Sequence, residues 1–194
     1  MTGQHNTGAT YALSLSGSTS ITAGTGVTLE SLNNNTGTIA LLSSGGINGG
    51  SGTVLMRAAN YAFGGADRTI TTTGVLTIQP DADENSFASS FDNQYLNPVN
   101  VTGLTLGKSS NASAITLSRA ISLSGPVSIY GGSIDVNANI TANSGNILLD
   151  ADTGSTLNQS STGILLDDAI TIETVTSGNL TLIGRSGDTG SGFD

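Results

Sequence analysis

The stretch SGPVSIYGGSIDVNANITANSGNILLDA, residues 124–151, decides the fold, because small polar residues separate very short apolar pairs within it. The pairs are Val127 and Ile129, Ile134 and Val136, and Ile147 and Leu149. Alternation of apolar and polar residues predicts a strand, while Gly, Asn, Ser and Asp predict turns. Strands this short are not stable alone, so the stretch favours a fold in which many of them stack into a larger sheet.

The same pattern recurs along the chain as a unit of Ser or Thr, then Gly, then alternating apolar residues. The first apolar positions of these units are Val27, Ile39, Val54, Val75, Leu104, Val127, Ile147, Ile164 and Leu180. Their mean spacing is about 19 residues, which is typical of solenoid proteins. Apolar residues also recur every six or seven positions, at Ile115, Ile121, Val127, Ile134, Ile140 and Ile147. This shorter spacing predicts about three strands per unit.

The sequence therefore predicts an all-β fold, a parallel β-helix (β-solenoid) with about 19–20 residues and three short strands per coil. The glycine of each unit is expected to be structural, at a corner that needs a positive φ. These glycines are Gly26, Gly37, Gly52, Gly74, Gly103, Gly125, Gly145, Gly163 and Gly178. An antiparallel sandwich is the alternative, but the connections are short and contain few Asn-Gly or Asp-Gly hairpin turns.

One interval, between Val75 and Leu104, is much longer than its neighbours. Within it Phe87, Phe91 and Tyr95 have the i, i+4, i+8 spacing of one helical face. We expect a short helix over 86–96, lying on the solenoid wall as part of an insertion over 79–100. An irregular loop over about 80–98 is the alternative, because Ser-rich segments have weak helix propensity. The rest of 1–194 is predicted as one solenoid segment of a much larger protein, with a flexible terminus over 1–10.

Composition excludes several classes of function. The net charge is −9, with only five Lys and Arg residues, so no basic patch for nucleic acid is expected. Membrane insertion is not expected either, because no apolar run approaches the roughly 20 residues that span a bilayer. The chain contains no cysteine, which excludes disulfides and thiolate metal sites.

Residues 101–151 resemble the shafts of filamentous-haemagglutinin-like adhesins, which are giant repetitive surface proteins of bacteria. The resemblance rests on GPVSIYGGSIDVNANIT, on the recurrent Ser/Thr-Gly units and on the absence of cysteine. It implies a right-handed β-helix, export to the bacterial cell surface, and a role as a stalk or adhesive filament without catalysis. The expected partners are neighbouring β-solenoid repeats, copies of the chain stacked end to end, and surface glycans.

The sequence predicts no catalytic residue. The single histidine, His5, lies near the terminus, which argues against Ser-His-Asp chemistry. The competing function is a carbohydrate-binding or carbohydrate-active β-helix whose carboxylates stack on one face. The candidate carboxylates are Asp150, Asp152, Asp167, Asp168 and Glu173, with Arg185 as a cation beside them. Solvated corner charges are the structural alternative, and the chain is poor in the cations and aromatic residues that sugar sites usually carry.

Calcium is the only cofactor that the sequence suggests, and only weakly. Alternating carboxylates occur at Asp81 and Asp83 and again at Asp150 and Asp152. Such oxygen ligands suit Ca²⁺, but the first segment lacks the glycine of an EF-hand loop. Ice binding is a third possible function because of Thr-rich stretches such as DRTITTTGVLT, although their threonines do not keep one register from unit to unit.

Overall fold

The computed structural model describes residues 2–3, 11–31, 37–42, 45–82, 84–151 and 162–185, and these contain strands and turns but no helix. The first strands are β1 (Thr2–Gly3), β2 (Leu13–Leu15), β3 (Ile21–Thr22), β4 (Val27–Ser31), β5 (Thr38–Leu41), β6 (Ile47–Asn48), β7 (Val54–Arg57), β8 (Asn60–Phe63), β9 (Arg68–Thr71), β10 (Val75–Gln79) and β11 (Phe91–Asp92). They are followed by β12 (Leu96–Val99), β13 (Gly103–Leu106), β14 (Ala114–Leu117), β15 (Ile121–Leu123), β16 (Val127–Tyr130), β17 (Ser133–Val136), β18 (Ile140–Ser144), β19 (Ile147–Ala151), β20 (Ile164–Leu166), β21 (Ile172–Ser177) and β22 (Leu180–Gly184).

Every strand pairing is parallel, and the strands form three rows that the chain visits in rotation. The first row is one eight-stranded sheet, β1-β4-β7-β10-β13-β16-β19-β22. The second row consists of two sheets, β2-β5-β8 and β11-β14-β17-β20. The third row consists of β3-β6-β9-β12 and β15-β18-β21. One passage through the three rows is called a coil below. This all-β architecture of long parallel sheets is compatible with a β-solenoid.

The coils are longer and less regular than the sequence predicts. Successive strands of the first row are in register at steps of 28, 27, 22, 28, 23, 20 and 33 residues. The predicted period of about 19–20 residues is therefore wrong for most of the chain. The error arises because the units at Ile39 and Ile164 lie in β5 and β20 of the second row, although they have the same sequence pattern as first-row units.

Alternation along the strands places one set of side chains in a common core. Ile134 and Val136 of β17 are buried, whereas Asp135 between them is half-buried and Asn137 is exposed. Buried apolar residues of all three rows belong to one contiguous core. Stacking these inward residues removes a continuous apolar column from water, and this burial stabilises strands that are too short to persist singly.

The predicted helix over 86–96 is wrong. Residues 80–90 contain neither helix nor strand in their described part, and the chain then forms β11 and β12, which pair with β14 and β9. The segment is therefore part of the wall rather than an element lying on it. Its backbone forms hydrogen bonds with other coils: Ala88 N donates to Ala59 O at 2.8 Å, and Asn93 N donates to Thr116 O at 3.3 Å. These long-range bonds replace the local ones that a helix needs.

Both interruptions in the rows involve the coil formed by β10, β11 and β12. In the second row β8 is not paired with β11, and in the third row β12 is not paired with β15. Pro98 lies within β12. A proline has no backbone donor and is therefore found at sheet edges, which fits the end of the third-row sheet at this strand.

The glycines of the repeat units are needed for two different reasons, a positive φ and a close approach to a neighbouring backbone. Positive φ occurs at Gly26, Gly145 and Gly178. At Gly52 the limit is space, because an added Cβ would lie 1.7 Å from Thr25 O of the preceding coil. Close backbone approach of this kind also occurs at Gly74, Gly125 and Gly163, with a milder contact at Gly103. Gly37 O accepts the backbone N–H of Asn60 at 3.0 Å from the next coil.

Candidate functional site

The clearest concave feature lies where the second row is interrupted. Asn60 and Gly64 donate their backbone N–H groups to Gly37 O and Leu41 O of the preceding coil, at 3.0 and 3.1 Å. Alternate residues of a parallel strand direct their backbone groups to the same neighbour. Tyr61 and Phe63 therefore direct theirs to the opposite side, where β8 has no paired strand among the described residues. A cavity of about 210 Å³ opens at this gap.

Four aromatic rings form the floor of the cavity, called the aromatic pocket below. Phe87 and Phe91 are stacked, with ring centroids 5.5 Å apart. Tyr61 contacts both edge-on, at 5.8 and 5.7 Å, and Phe63 contacts Phe91 edge-on at 5.9 Å. Stacked and edge-on pairs are the favoured aromatic geometries, so the rings support one another.

The polar group in this floor is satisfied internally. The Tyr61 hydroxyl donates to Gln79 O at 2.8 Å. Burial raises the pKa of the Tyr61 phenol well above its ordinary value, because the phenolate would lose its hydration there. The floor is consequently neutral and apolar at physiological pH.

The mouth of the aromatic pocket is polar. The mouth residues are Asn60, Ser89, Ser90, Asp92, Gln94 and Tyr95. Two hydrogen bonds order this rim: Ser89 Oγ donates to Asn60 Oδ1 at 2.8 Å, and Gln94 N donates to Asp92 Oδ1 at 2.9 Å. Asp92 is exposed and is the one charged residue lining the pocket in the described part of the chain.

A fully buried asparagine holds the pocket floor in place. Asn111 Oδ1 accepts from Phe87 N at 3.2 Å, while Asn111 Nδ2 donates to Tyr130 O at 2.8 Å. The Asn111 side chain therefore joins its own coil to the coil on either side. Ser113 Oγ adds a bond to Phe87 O at 2.5 Å, so both backbone groups of Phe87 are fixed from the neighbouring coil.

Other corner asparagines use the same device. Asn93 exchanges two hydrogen bonds with the backbone of Arg119, at 2.9 and 3.0 Å. Asn139 Oδ1 accepts from Thr171 N, and Asn146 Oδ1 accepts from Asn179 N, each at 2.9 Å. These side chains bond the backbone of the adjacent coil and thereby satisfy corner N–H groups that no strand pairing reaches.

An ion pair crosses the interrupted coil on the outside. Arg119 Nη1 and Nη2 donate to the two carboxylate oxygens of Asp67 at 2.5 and 2.9 Å, across 52 residues of sequence. This bidentate bond to the guanidinium lowers the pKa of the Asp67 carboxyl. The pair links the corner before β9 to the corner before β15, past the coil that carries β11 and β12.

The last described coil leaves inward-facing side chains uncovered. Leu180 and Leu182 of β22 are in register with Ile147 and Leu149, which are 0% exposed, yet they are themselves 46% and 43% exposed. Leu166 of β20 is likewise 47% exposed over a fully buried Val136. Among the described residues no strand pairs with the outer edge of β22. This surface, formed by β20, β21 and β22, is called the uncovered end.

Within the described residues, the carboxylates of the competing carbohydrate hypothesis lie on different rows. Asp150 lies half-buried on β19 of the first row, Asp167 and Asp168 lie exposed in the turn after β20, and Glu173 is exposed on β21 of the third row. Asp168 N donates to Asp167 Oδ1 at 2.8 Å, a bond local to that turn. Arg185 is exposed just after β22. The acidic residues thus occupy different rows, and Asp152 and His5 lie outside the described residues.

Of the four calcium candidates, the structure describes Asp81 and Asp150. Within the described ranges no three carboxylate or histidine side chains are close enough to share a metal ion. Asp83 lies outside those ranges. Asp81 is buried, its Oδ2 has no hydrogen-bond partner, and Lys108 Nζ donates to Asp81 O at 3.3 Å and to Glu84 O. The ammonium of Lys108 thus binds the carbonyl oxygens of this loop.

The aromatic residues behave differently from an exposed sugar platform. Phe87 and Phe91 are each 4% exposed and Tyr95 is half-buried at the rim. Sequence reasoning missed Tyr61, Phe63 and Asn111. The alternation in NYAF, residues 60–63, contained the signal for two inward aromatics, whereas the role of Asn111 depends on contacts 19 and 24 residues away.

Comparisons with known proteins give no relative. No family model matches the sequence, and neither a curated protein nor a solved structure matches it significantly. In the described part of the chain we also find no helix with the length and apolar character needed to cross a membrane.

Proposed function

We propose that the chain is a segment of a right-handed parallel β-helix and serves as a structural and adhesive shaft in a secreted bacterial surface filament, without catalytic activity. The observation that carries the proposal is the first row, one parallel sheet from β1 to β22. Connections between parallel strands of one sheet are right-handed in nearly all proteins, which supports that hand for the coils. Eight strands at about 4.8 Å spacing give a rod segment of about 34 Å.

The uncovered end supports a partner that continues the rod. Its apolar side chains and unpaired strand edges are a template for a further coil, and exposed edges of this kind promote association. We propose that a neighbouring β-solenoid repeat or a second copy of the chain supplies that coil. A rod extended in this way gains length, and weak contacts of its repeated faces with surface glycans would add by multivalency.

Adjacent residues of β22 allow the stacking to be tested. Leu182→Lys places a charge in the uncovered core, whereas Thr181→Lys places the same charge on the outward side of the same strand. Sedimentation velocity and negative-stain images should show concentration-dependent rods for the wild type and Thr181→Lys, and dispersed particles for Leu182→Lys. A wild-type monomer at all concentrations, or equal dissociation of both variants, would contradict stacking of copies.

The surface location needs a separate experiment. Antibodies raised against the chain should label intact cells of the source organism, and protease treatment of those cells should remove the label. Labelling that appears only after the cells are opened would contradict the location in a surface filament. It would not test the β-solenoid fold.

A further inference from the structure

The aromatic pocket has the attributes of a ligand site that a plain structural rod does not require. A regular coil would close the second row by pairing β8 with the next strand, as β5 pairs with β8. Here the pairing is interrupted, and ring surfaces that belong to the core become reachable through the gap. Tyr61 and Phe63 are half-buried rather than buried, so part of each ring faces the cavity.

The volume of the cavity suits a ligand that inserts one ring. An apolar cavity of about 150 Å³ holds benzene. The aromatic pocket, at about 210 Å³, has room for one six-membered or fused bicyclic ring with a small substituent.

The distribution of polarity sets the chemistry of that ring. The side chains of the floor offer no free donor, because the Tyr61 hydroxyl already donates to Gln79 O. A sugar ring has hydroxyls on every side and would bury some of them unpaired against the phenylalanines, which costs free energy. An aromatic ring has a polar group at one edge only and buries the rest without loss.

The mouth favours a ligand with a hydrogen-bond donor. Asp92 contributes an acceptor carboxylate, and Ser90 and Gln94 lie beside it. No lining residue is a cation, and the chain carries a net charge of −9, so an anionic ligand is disfavoured. The rim is already ordered by the bonds of Ser89 and Gln94, which lowers the entropic cost of binding.

We propose that the aromatic pocket binds a small, uncharged aromatic compound with a hydrogen-bond donor, of the phenol or indole class. Its ring inserts among Tyr61, Phe63 and Phe91, and its O–H or N–H donates to Asp92 at the mouth. The site lies in the wall of the rod, away from the uncovered end, so its occupation does not depend on the stacking proposed above.

Titration with phenol and with indole tests the proposal on the full chain, by calorimetry and by saturation-transfer NMR, which tolerates large assemblies. We expect a dissociation constant of about 1 mM, well within what such small ligands can reach. Asp92→Asn should weaken binding about fivefold by removing the charged acceptor, and Phe91→Leu should weaken it further by opening the floor. Asp168→Asn, an exposed carboxylate outside the pocket, is the matched control and should bind as the wild type does.

Three results would overturn the proposal. The first is the absence of a saturation-transfer signal from either ring compound with the wild-type chain. The second is equal binding by Asp92→Asn and Asp168→Asn, which would place the ligand elsewhere, for example at the uncovered end. The third is binding of methyl glucoside as tightly as phenol, which would make the pocket a sugar site. Because Asp92 is exposed, its substitution leaves the core intact, and a loss of binding in that variant is not a folding defect.

Discussion

Replacing Asn111 with alanine should destabilise the protein by about 2–4 kcal/mol. Asn111 is 0% exposed, and its amide bonds Phe87 N and Tyr130 O in the two flanking coils. Truncation leaves one donor and one acceptor without these partners, and each buried unsatisfied group costs about 1–3 kcal/mol. The small cavity left by the amide adds to the loss.

Asn111→Asp separates the hydrogen-bond effect from the cavity effect. Aspartate has nearly the same volume, but its carboxylate cannot donate to Tyr130 O and instead faces that carbonyl oxygen. We therefore expect Asn111→Asp to be destabilised at least as strongly as the alanine variant at neutral pH. Asn146→Ala is the matched control, because Asn146 makes a similar bond to Asn179 N but is exposed, so that water can replace the amide. Its cost should be about 0.5 kcal/mol.

Urea unfolding followed by far-ultraviolet circular dichroism and by tyrosine fluorescence measures these differences. Coincidence of the two probes is needed before a single free energy is assigned, since stacked repeats can unfold in stages. If Asn111→Ala lies within about 0.5 kcal/mol of Asn146→Ala, or if Asn111→Asp is as stable as the wild type, the buried amide does not hold the coils together and our reasoning is refuted.

Two further substitutions test the corners. Gly52→Ala should strongly lower the midpoint of thermal unfolding, because the added Cβ would lie 1.7 Å from Thr25 O. Gly24→Ala is the control: its Cβ would meet nothing within 4 Å, so it should be neutral or slightly stabilising. Equal midpoints for the two variants would contradict the close approach at Gly52. Asp67→Asn should lower the melting temperature at pH 7. Because Arg119 depresses the pKa of folded Asp67, the stabilisation is present above the unfolded pKa of about 3.9 and is lost as pH falls through the lower folded value. The two melting curves should therefore converge in acid, and a difference that persists below pH ~2 would argue against the ion pair.

The alternation of residues was enough to predict strands in much of the chain. The apolar positions Ile115, Ile121, Ile134 and Ile140 lie in β14, β15, β17 and β18, because a half-buried strand must alternate. The coil length was not predictable in the same way. A Ser/Thr-Gly unit can form a corner before a strand of any row. Ile39 and Ile164 of the second row therefore had the same sequence pattern as first-row strands, and counting them made the predicted coil too short.

Neither the absence of a helix over 86–96 nor the aromatic pocket could be predicted from the local sequence, and the cause is the same. Spacing in sequence indicates which side chains could share a face, but it contains no information about bonds to residues of the preceding coil. Phe87 and Phe91 share the core because Ala88 bonds Ala59 and Asn111 bonds Phe87, contacts that span 24 to 29 residues. Such long-range pairings decide whether a segment with an i, i+4 pattern forms a helix or an irregular part of a coil.

The second row is interrupted at the place where four aromatic side chains meet. Elsewhere the inward residues are mostly aliphatic, and strands such as β14 and β17 pair along their whole length. At this coil four aromatic rings share the interior, with centroids 5.5 to 6.3 Å apart. Two of these rings lie on β8, which among the described residues has no paired strand on the side of β11. Across the gap Ala88 N donates to Ala59 O and Ser89 Oγ donates to Asn60 Oδ1, and on the outside Arg119 pairs with Asp67. The gap between β8 and β11 therefore coincides with the aromatic pocket, and ligand binding there should stabilise the folded protein.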